Sequence, residues 1–332
     1  MKMRRLPAPH LGRLGAVGAS VPTVAKPEPS IRSLTWQKLT WVNIERPTEE
    51  ETDYLAERYP FHPLDLDDCL SKVQLPKIDE YESYLFMVFH FPVFNAHARV
   101  TTASQVFIFI GEDYLITLHQ GDLKPLTSLF KSCQTNEKAL EESMGRSSGY
   151  LLYLVLDRLV NYCFPIVSKI GENIEITEER IFGETPRGTV RDVAILRRDI
   201  IAFRRIIRPQ TDAVEILEQK EWPILKEDPD VYFGDIADHL RKIRDTLEYH
   251  KEAVEGLIDT NNTLTSFRLN EVIRLLTIIS TIMLPLTLVA SVVGMNVWPM
   301  PVESSSVFIG IIVSMGIIIA GMLAFFRARR WI

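Results

Sequence analysis

The chain has 332 residues, of which 46% are hydrophobic and 24% charged, and its net charge is −6. This composition is typical of a folded protein, and the acidic balance disfavours nucleic acid as a partner. The three cysteines, Cys69, Cys133 and Cys163, are scattered without CxxC spacing. They predict reduced thiols in a cytosolic environment and exclude a disulfide framework.

The first part of the chain predicts a flexible tail followed by an α/β domain. Residues 1–32 mix basic residues with Pro, Gly and Ala, and they contain no apolar stretch long enough for a signal peptide. Within 33–149, an aromatic-rich apolar run at 84–94 is typical of a buried strand. The segments 105–110 and 114–118 flank a Gly-Glu-Asp turn and predict a hairpin.

From residue 150 onward the hydrophobic pattern becomes helical. Residues 150–227 carry apolar positions at intervals of three and four and predict a region of long helices. A second pattern runs without proline from about Tyr232 to Pro285. A helix of about 65 residues is about 100 Å long at about 1.5 Å per residue, which is too long for one compact domain. We therefore expect 228–273 to form a stalk.

Two uncharged segments follow, Leu275 to Val302 and Ser304 to Phe326. Each exceeds the roughly 20 residues that span a bilayer. The connection between them lacks Lys and Arg, whereas the end of the chain is basic, so both termini are expected in the cytoplasm of a protein of the cell membrane. The predicted parts are transmembrane helix 1 (274–297), an external loop (298–303), transmembrane helix 2 (304–326) and a basic cytoplasmic tail (327–332).

One face of the first span, together with the end of the stalk, carries mainly small polar side chains. Two spans alone enclose no aqueous path, so a pore requires several copies around an axis. The positions fall within an arc of roughly 100°, which suits either the lining of a pore or hydrogen bonding between helices. They are Asn270, Thr277, Ser280, Leu284, Thr287 and Ser291.

Several motifs carry a family resemblance. Gly294-Met295-Asn296 closes the first span, Leu284-Pro285-Leu286-Thr287 lies within it, and Arg329-Arg330-Trp331-Ile332 ends the chain. Upstream, the match extends to His62–Leu70 and Tyr232–Asp235. With two spans at the C-terminus and a short loop between them, this set resembles the CorA family of magnesium channels, from about residue 35 onward.

The resemblance implies a homopentamer in the lipid bilayer. Each copy would have a cytoplasmic α/β domain, long stalk helices, an inner ring of first spans and an outer ring of second spans. It would admit divalent cations, above all Mg²⁺, down the electrochemical gradient, with Mg²⁺ both transported and regulatory. Gly294, Met295 and Asn296 would form the external selectivity filter, where amide oxygens meet a hydrated ion.

The resemblance also assigns roles within the pore and the soluble domain. Asn270 and Thr287 would form polar rings, and Leu276 and Leu284 would narrow the path. Asp68 and Asp235 match a pair that senses Mg²⁺ between subunits, with Asp67 in a supporting position. A divalent ion between two such carboxylates would hold the assembly closed.

Departures from the family pattern leave the choice of ion open. Val293 precedes the Gly-Met-Asn motif where Tyr is usual, Val297 and Trp298 follow it, and Glu303 is the single carboxylate of the external loop. Co²⁺, Ni²⁺ and Zn²⁺ therefore remain alternatives to Mg²⁺, although Gly-Met-Asn instead of a Gly-Val-Asn variant argues against the zinc-transporting branch.

Two other classes of protein compete with a channel. An enzyme is disfavoured because the chain has no HExxH, GxSxG, Walker or dinucleotide motif, and its seven histidines show no metal-ligand spacing. A membrane-anchored sensor that conducts no ions would share the soluble domain and the stalk. Uptake of ions by the purified protein separates these alternatives.

Overall fold

The computed structural model describes residues 31–71, 74–95, 100–183, 188–295 and 305–331. Within these ranges a six-stranded sheet is followed by a series of helices that lengthen along the chain. The strands are β1 (Ile31–Trp36), β2 (Leu39–Glu45), β3 (Lys77–Glu80), β4 (Leu85–Asn95), β5 (Val100–Ile110) and β6 (Tyr114–His119). The helices are α1 (Glu49–Arg58), α2 (Pro63–Leu70), α3 (Lys124–Thr135), α4 (Glu137–Met144), α5 (Ser148–Asn161), α6 (Cys163–Phe182), α7 (Thr189–Gln219), α8 (Pro229–Gly294) and α9 (Ser305–Ala328).

The sheet has the order β1-β2-β6-β5-β4-β3, and its strands pair antiparallel except for the parallel pair β2–β6. The predicted hairpin is confirmed, since β5 and β6 pair antiparallel across Gly111-Glu112-Asp113. The aromatic-rich run forms β4, also as predicted. β1 begins at Ile31, inside the segment expected to be tail, because Ile31 pairs with Ile44 of β2.

Both faces of the sheet are buried. Alternate residues of one strand point to opposite sides, so Met87 and Phe89 of β4 join the core beneath the long helices, while Phe86 and Val88 pack against α1 and α2. The larger core continues from the sheet through α5 to Leu257 of α8. The predicted regions 33–149 and 150–227 thus share one hydrophobic core.

The stalk and the first apolar segment form one helix. α8 contains 66 residues and continues through Pro285. It begins at Pro229, with the Asp228 side chain accepting a hydrogen bond from the Asp230 N–H as an N-cap. Pro285 lacks an N–H, a loss tolerated in membrane helices where neighbouring groups re-satisfy the backbone.

Three helical segments in the described part of the chain have the length and apolar composition of a membrane span. They are Ser148–Phe182, Pro229–Gly294 and Ser305–Ala328, with 44%, 6% and 0% of their most apolar windows buried. The first consists of α5 and α6, which belong to the soluble core, so its apolar residues already have partners. The other two correspond to the predicted spans. The tail up to residue 30 and the loop 296–304 lie outside the described residues.

Candidate functional site

The apolar half of α8 has little cover within the chain. Leu276 is 63% exposed and Leu284 is 70% exposed. Exposure of so large an apolar surface to water is unfavourable, so lipid or other copies of the chain must cover it. Every candidate pore position is exposed, namely Asn270, Leu276, Thr277, Ser280, Leu284, Thr287 and Ser291.

The side of α8 that is less exposed lies opposite these positions. α9 packs against α8, and the partly or fully buried residues of this half are Ile278, Ile282, Pro285, Leu286, Val289 and Val293. At 3.6 residues per turn, the middle of this set lies about 165° around the helix from the middle of the polar stripe. The polar stripe therefore faces away from α9.

The threonine hydroxyls of α8 find partners within their own helix. Thr277 Oγ1 donates to the carbonyl of Ile273 at 2.7 Å, and Thr287 Oγ1 donates to the carbonyl of Met283 at 2.8 Å. Their hydrogen-bonding needs are met without a neighbouring helix, which leaves the oxygen lone pairs free to accept from water.

α8 ends at the first residue of the Gly-Met-Asn motif. Gly294 is its last helical residue, and the Met295 N–H caps it by donating to the Val292 carbonyl at 3.3 Å. A Cβ built on Gly294 would meet no atom within 4 Å inside the chain. Asn296 and Glu303, which sequence analysis assigns to the filter and the external loop, lie outside the described residues.

Asp235 lies in the first turns of α8, within a small polar cluster. Its carboxylate accepts a hydrogen bond from the Tyr153 hydroxyl at 3.4 Å and lies 3.9 Å from His239 Nε2. One ligand atom from each of Asp157, Asp235 and His239 lies within 4.8 Å of the others, a spacing at which three side chains can hold a metal ion.

Burial and repulsion between like charges raise pKa values in this cluster. The pKa of Asp157 is raised by burial and, to a smaller extent, by Asp235. Burial also raises the pKa of Tyr153 to about 12, with the nearby carboxylates of Asp157 and Asp235 adding to it. A bound cation would relieve the repulsion between the two carboxylates.

Two of these three residues, His239 and Asp157, are not predicted as ligands from the sequence. His239 was grouped with histidines that lack metal-ligand spacing, but four residues separate it from Asp235, which places both on one helical face. That spacing was readable in the sequence. Asp157 comes from α5, so only the packing of α5 on α8 brings it near.

Asp68 is engaged by two side chains of its own subunit. Gln74 Nε2 donates to Oδ1 at 2.7 Å, and Lys77 Nζ lies 2.8 Å from Oδ2. The same ammonium group lies 2.7 Å from Asp79 Oδ2. Asp67, the third acidic residue assigned from the sequence, is exposed on α2. Lys77 therefore supplies the cation that balances Asp68 within the subunit.

A buried carboxylate fixes the helix that carries Asp68. Asp65 is 2% exposed and accepts hydrogen bonds from the Tyr84 hydroxyl at 2.8 Å and the Tyr81 hydroxyl at 3.1 Å. Burial raises the pKa of Asp65, and the two tyrosine hydrogen bonds oppose that rise. These bonds hold the first turn of α2 against the sheet and so orient the Asp68 side chain.

Asp68 and Asp235 belong to different regions of the subunit. No hydrogen bond or ion pair between them occurs in the part of the chain that the structure describes. α2 packs in the smaller core on one face of the sheet and α8 packs in the larger core on the other face, so the two carboxylates lie on opposite sides of the sheet.

The chain combines a soluble α/β domain with one unbroken helix that extends into an apolar segment, and a second apolar helix follows. This combination defines an integral membrane protein. The family model described as "CorA-like Mg2+ transporter protein" matches residues 36–330. The chain belongs to this family of divalent-cation transporters.

Individual relatives agree with this assignment. The chain is 31% identical over 292 residues to a putative metal ion transporter, YfjQ, of Bacillus subtilis, covering 88% of this chain and 89% of that protein. It is 28% identical over 295 residues to the cobalt/magnesium transport protein CorA of Thermotoga maritima, covering 88% and 83%. The fold matches the complete structure of the CorA magnesium transporter from Methanocaldococcus jannaschii, with a TM-score of 0.79, 22% identity and coverage of 90% and 94%.

Proposed function

We propose that the protein is a homopentameric channel through which Mg²⁺ enters the cytoplasm. The observation that carries this proposal is the position of the polar stripe of α8, which faces away from α9 and ends at Gly294. Copies arranged with α9 outermost would bring their stripes together around one axis. The hydroxyls of Thr277 and Thr287 would then line the path of a hydrated ion.

The direction of transport follows from charge. Arg274 precedes the first span and three arginines follow the second, whereas the connecting loop has no Lys or Arg. This distribution supports cytoplasmic termini and an external loop. At 100 mV, an inside-negative potential contributes about 4–5 kcal/mol for each divalent ion that enters, so no ATP is needed.

The filter proposed for the outer end is the Gly-Met-Asn motif. Mg²⁺ gives up its water reluctantly, and a ring of Asn296 amide oxygens would hydrogen-bond the hydrated ion without stripping it. Glu303, the single carboxylate of the external loop, would raise the local concentration of cations near this ring.

Competitive uptake into liposomes tests the proposal. Purified protein should take up Mg²⁺ and respond to the membrane potential, and Asn296→Ala should abolish selective uptake without changing assembly. Met300→Ala in the same loop is the matched control. Vesicles that stay impermeable to every divalent metal would refute a channel, and wild-type flux in Asn296→Ala would exclude the motif as the filter.

Transport of Co²⁺, Ni²⁺ or Zn²⁺ is the second candidate. The names of two relatives pair cobalt with magnesium. In the uptake assay, faster flux of one of these ions than of Mg²⁺ at equal concentration would favour this candidate.

Regulation by internal Mg²⁺ is proposed at the boundary between subunits. Asp235, with Asp157 beside it, would face Asp68 of a neighbouring copy, and hard carboxylate oxygens are suitable ligands for Mg²⁺. The double variant Asp68→Ala/Asp235→Ala should make uptake less sensitive to internal Mg²⁺. Unchanged inhibition in proteoliposomes would overturn this assignment.

A further inference from the structure

An open cleft of about 630 Å³ lies between α7 and α8, halfway along the soluble part of the two helices. Its volume falls within the range of about 300–1,000 Å³ that is usual for small-molecule sites. Its charged lining residues are Arg204, Arg205 and Arg208 from α7, and Arg244, Asp245 and Glu248 from α8.

The charges in this cleft do not balance. Glu248 pairs with Arg204 and lies 3.3 Å from Lys251 Nζ, and Asp245 lies 3.1 Å from Arg244. Arg205 and Arg208 are exposed, and neither forms a hydrogen bond or an ion pair with any residue within the described ranges. Two guanidinium groups are therefore left over in a protein whose net charge is −6.

The same cleft has an apolar wall. Ile207 and Leu247 form its floor, and Ile201, 49% exposed, and Pro209 form its side. A solvated basic face alone would not combine uncompensated charge with an apolar wall. Together they suit a ligand that has both an anionic group and a flat apolar ring.

The distance from the membrane excludes a lipid headgroup as the ligand. Arg244 and the start of the first span, at Leu275, are about 30 residues apart in the same helix, which corresponds to about 45 Å at about 1.5 Å per residue. Electrostatic attraction to a lipid surface fades within about 8 Å at physiological ionic strength. The anion must therefore come from solution.

We propose that this cleft binds a soluble anion of the nucleoside di- or triphosphate class. The guanidinium groups of Arg205 and Arg208 would each hold phosphate oxygens through paired N–H donors. The base would lie against Ile201 and Pro209. This site is separate from the ion pathway, and its existence does not depend on which metal the protein transports.

Isothermal titration of the full-length protein in nanodiscs tests the site directly. The titrant is ATP, in buffer that contains EDTA, so that chelation of a metal contributes nothing to the signal. AMP and inorganic phosphate are titrated in parallel. Arg205→Gln/Arg208→Gln removes the two unpaired charges, and Arg191→Gln/Arg197→Gln removes equal charge from the same helix outside the cleft.

We expect ATP to bind with an affinity at least ten-fold above that of AMP or inorganic phosphate. Arg205→Gln/Arg208→Gln should weaken ATP at least ten-fold, Arg205→Lys/Arg208→Lys less than that, and the control pair less than two-fold. Both pairs lie on the exposed surface, so size-exclusion profiles should match those of the wild type. Absence of ATP binding, equal binding of inorganic phosphate, or equal loss in the control pair would each overturn the proposal.

Discussion

At the scale of single residues, Lys77 competes with any metal that approaches Asp68. Its ammonium group lies between Asp68 and Asp79, and the side chains of Lys77 and Asp68 are 34% and 22% exposed. A partly exposed ion pair contributes about 0.5–1 kcal/mol. A divalent ion that binds Asp68 must either replace this ammonium group or bind beside it, and in both cases the like charge weakens binding.

Lys77→Gln should therefore tighten binding of regulatory Mg²⁺, on the proposal that Asp68 senses it. The internal Mg²⁺ concentration that halves uptake should fall by about two- to five-fold. Protection from limited proteolysis by Mg²⁺ should shift by the same factor, which provides a readout independent of transport.

Lys226→Gln is the control for Lys77. It breaks another ion pair, with Glu112 at 2.9 Å, far from α2 in the sequence. A similar shift in this control, or none with Lys77→Gln, would show that Lys77 does not tune the site.

His119 is held neutral inside the sheet. Burial lowers its pKa, although Glu45 and Asp122 oppose this shift. Nδ1 accepts from the Gly121 N–H at 3.0 Å, so Nε2 carries the proton and donates to Asn43 Oδ1 at 3.1 Å. A second proton on Nδ1 would face the Gly121 N–H and break that bond.

Stability should consequently fall as the pH drops below 6.5. The unfolded chain protonates its histidines in that range, whereas folded His119 resists protonation until lower pH, so protons favour the unfolded state. His119→Asn should reduce the drop in melting temperature between pH 7.5 and 5.5, measured by scanning calorimetry. His62→Asn, at an exposed N-cap position where asparagine also caps, is the control for the loss of a histidine. An equal drop in all three proteins would exclude His119 as a cause.

Residue roles were only partly readable from the sequence. Asp235 and His239 share one helical face, a local relation that spacing reveals. Lys77 and Asp157 reach the two acidic sites only through tertiary packing of β3 near α2 and of α5 on α8, and spacing carries no information on such contacts.

At the scale of elements, α8 connects the soluble domain to the first apolar segment as one continuous helix. Insertion of one alanine between Arg268 and Leu269 would rotate the polar stripe by about 100° relative to the stalk. On the proposal that the stripes of several copies line one pore, this variant should lose Mg²⁺ uptake, because its stripe would turn away from the axis of the pore. The assay is flux into liposomes.

Insertion of seven helix-forming residues at the same point is the matched control. Two turns rotate the stripe by only about 20°, so uptake should be recovered at least in part. Equal activity in the one-residue variant and the wild type would show that the orientation of α8 does not matter.

Local elements were predictable where short-range signals exist. The β5–β6 hairpin has its turn residues next to its strands, and the long helix has an unbroken apolar period. The parallel pairing of β2 with β6 was not predicted, because about 70 residues separate the two strands and no local pattern records which strands become neighbours. The start of β1 inside the expected tail was not predicted for the same reason, because this segment forms a strand only by pairing with β2.

At the scale of the whole molecule, the exposed apolar surface of α8 and α9 predicts assembly. Native mass spectrometry from lipid nanodiscs should give five times the mass of the 38.0 kDa chain. On the proposal that Leu276 narrows the ion path, Leu276→Asn would place an amide there and should raise basal flux while leaving that mass unchanged. A monomeric protein in a native-like bilayer would contradict the proposed architecture.

Two hydrogen bonds hold the later part of the stalk: one joins Thr189 to Asn261 at 3.4 Å, and in the other Arg268 Nη2 donates to the Gly183 carbonyl at 3.4 Å. Beyond Arg268, α8 continues for about 40 Å to Gly294 at about 1.5 Å per residue. A helix of that length that tilts by about 5° at Arg268 moves its end sideways by about 3.5 Å, more than the diameter of a water molecule. On the proposal that α8 lines the pore, small rearrangements around Arg268 would therefore be enlarged at the outer end of the helix, with no need for the helix to bend.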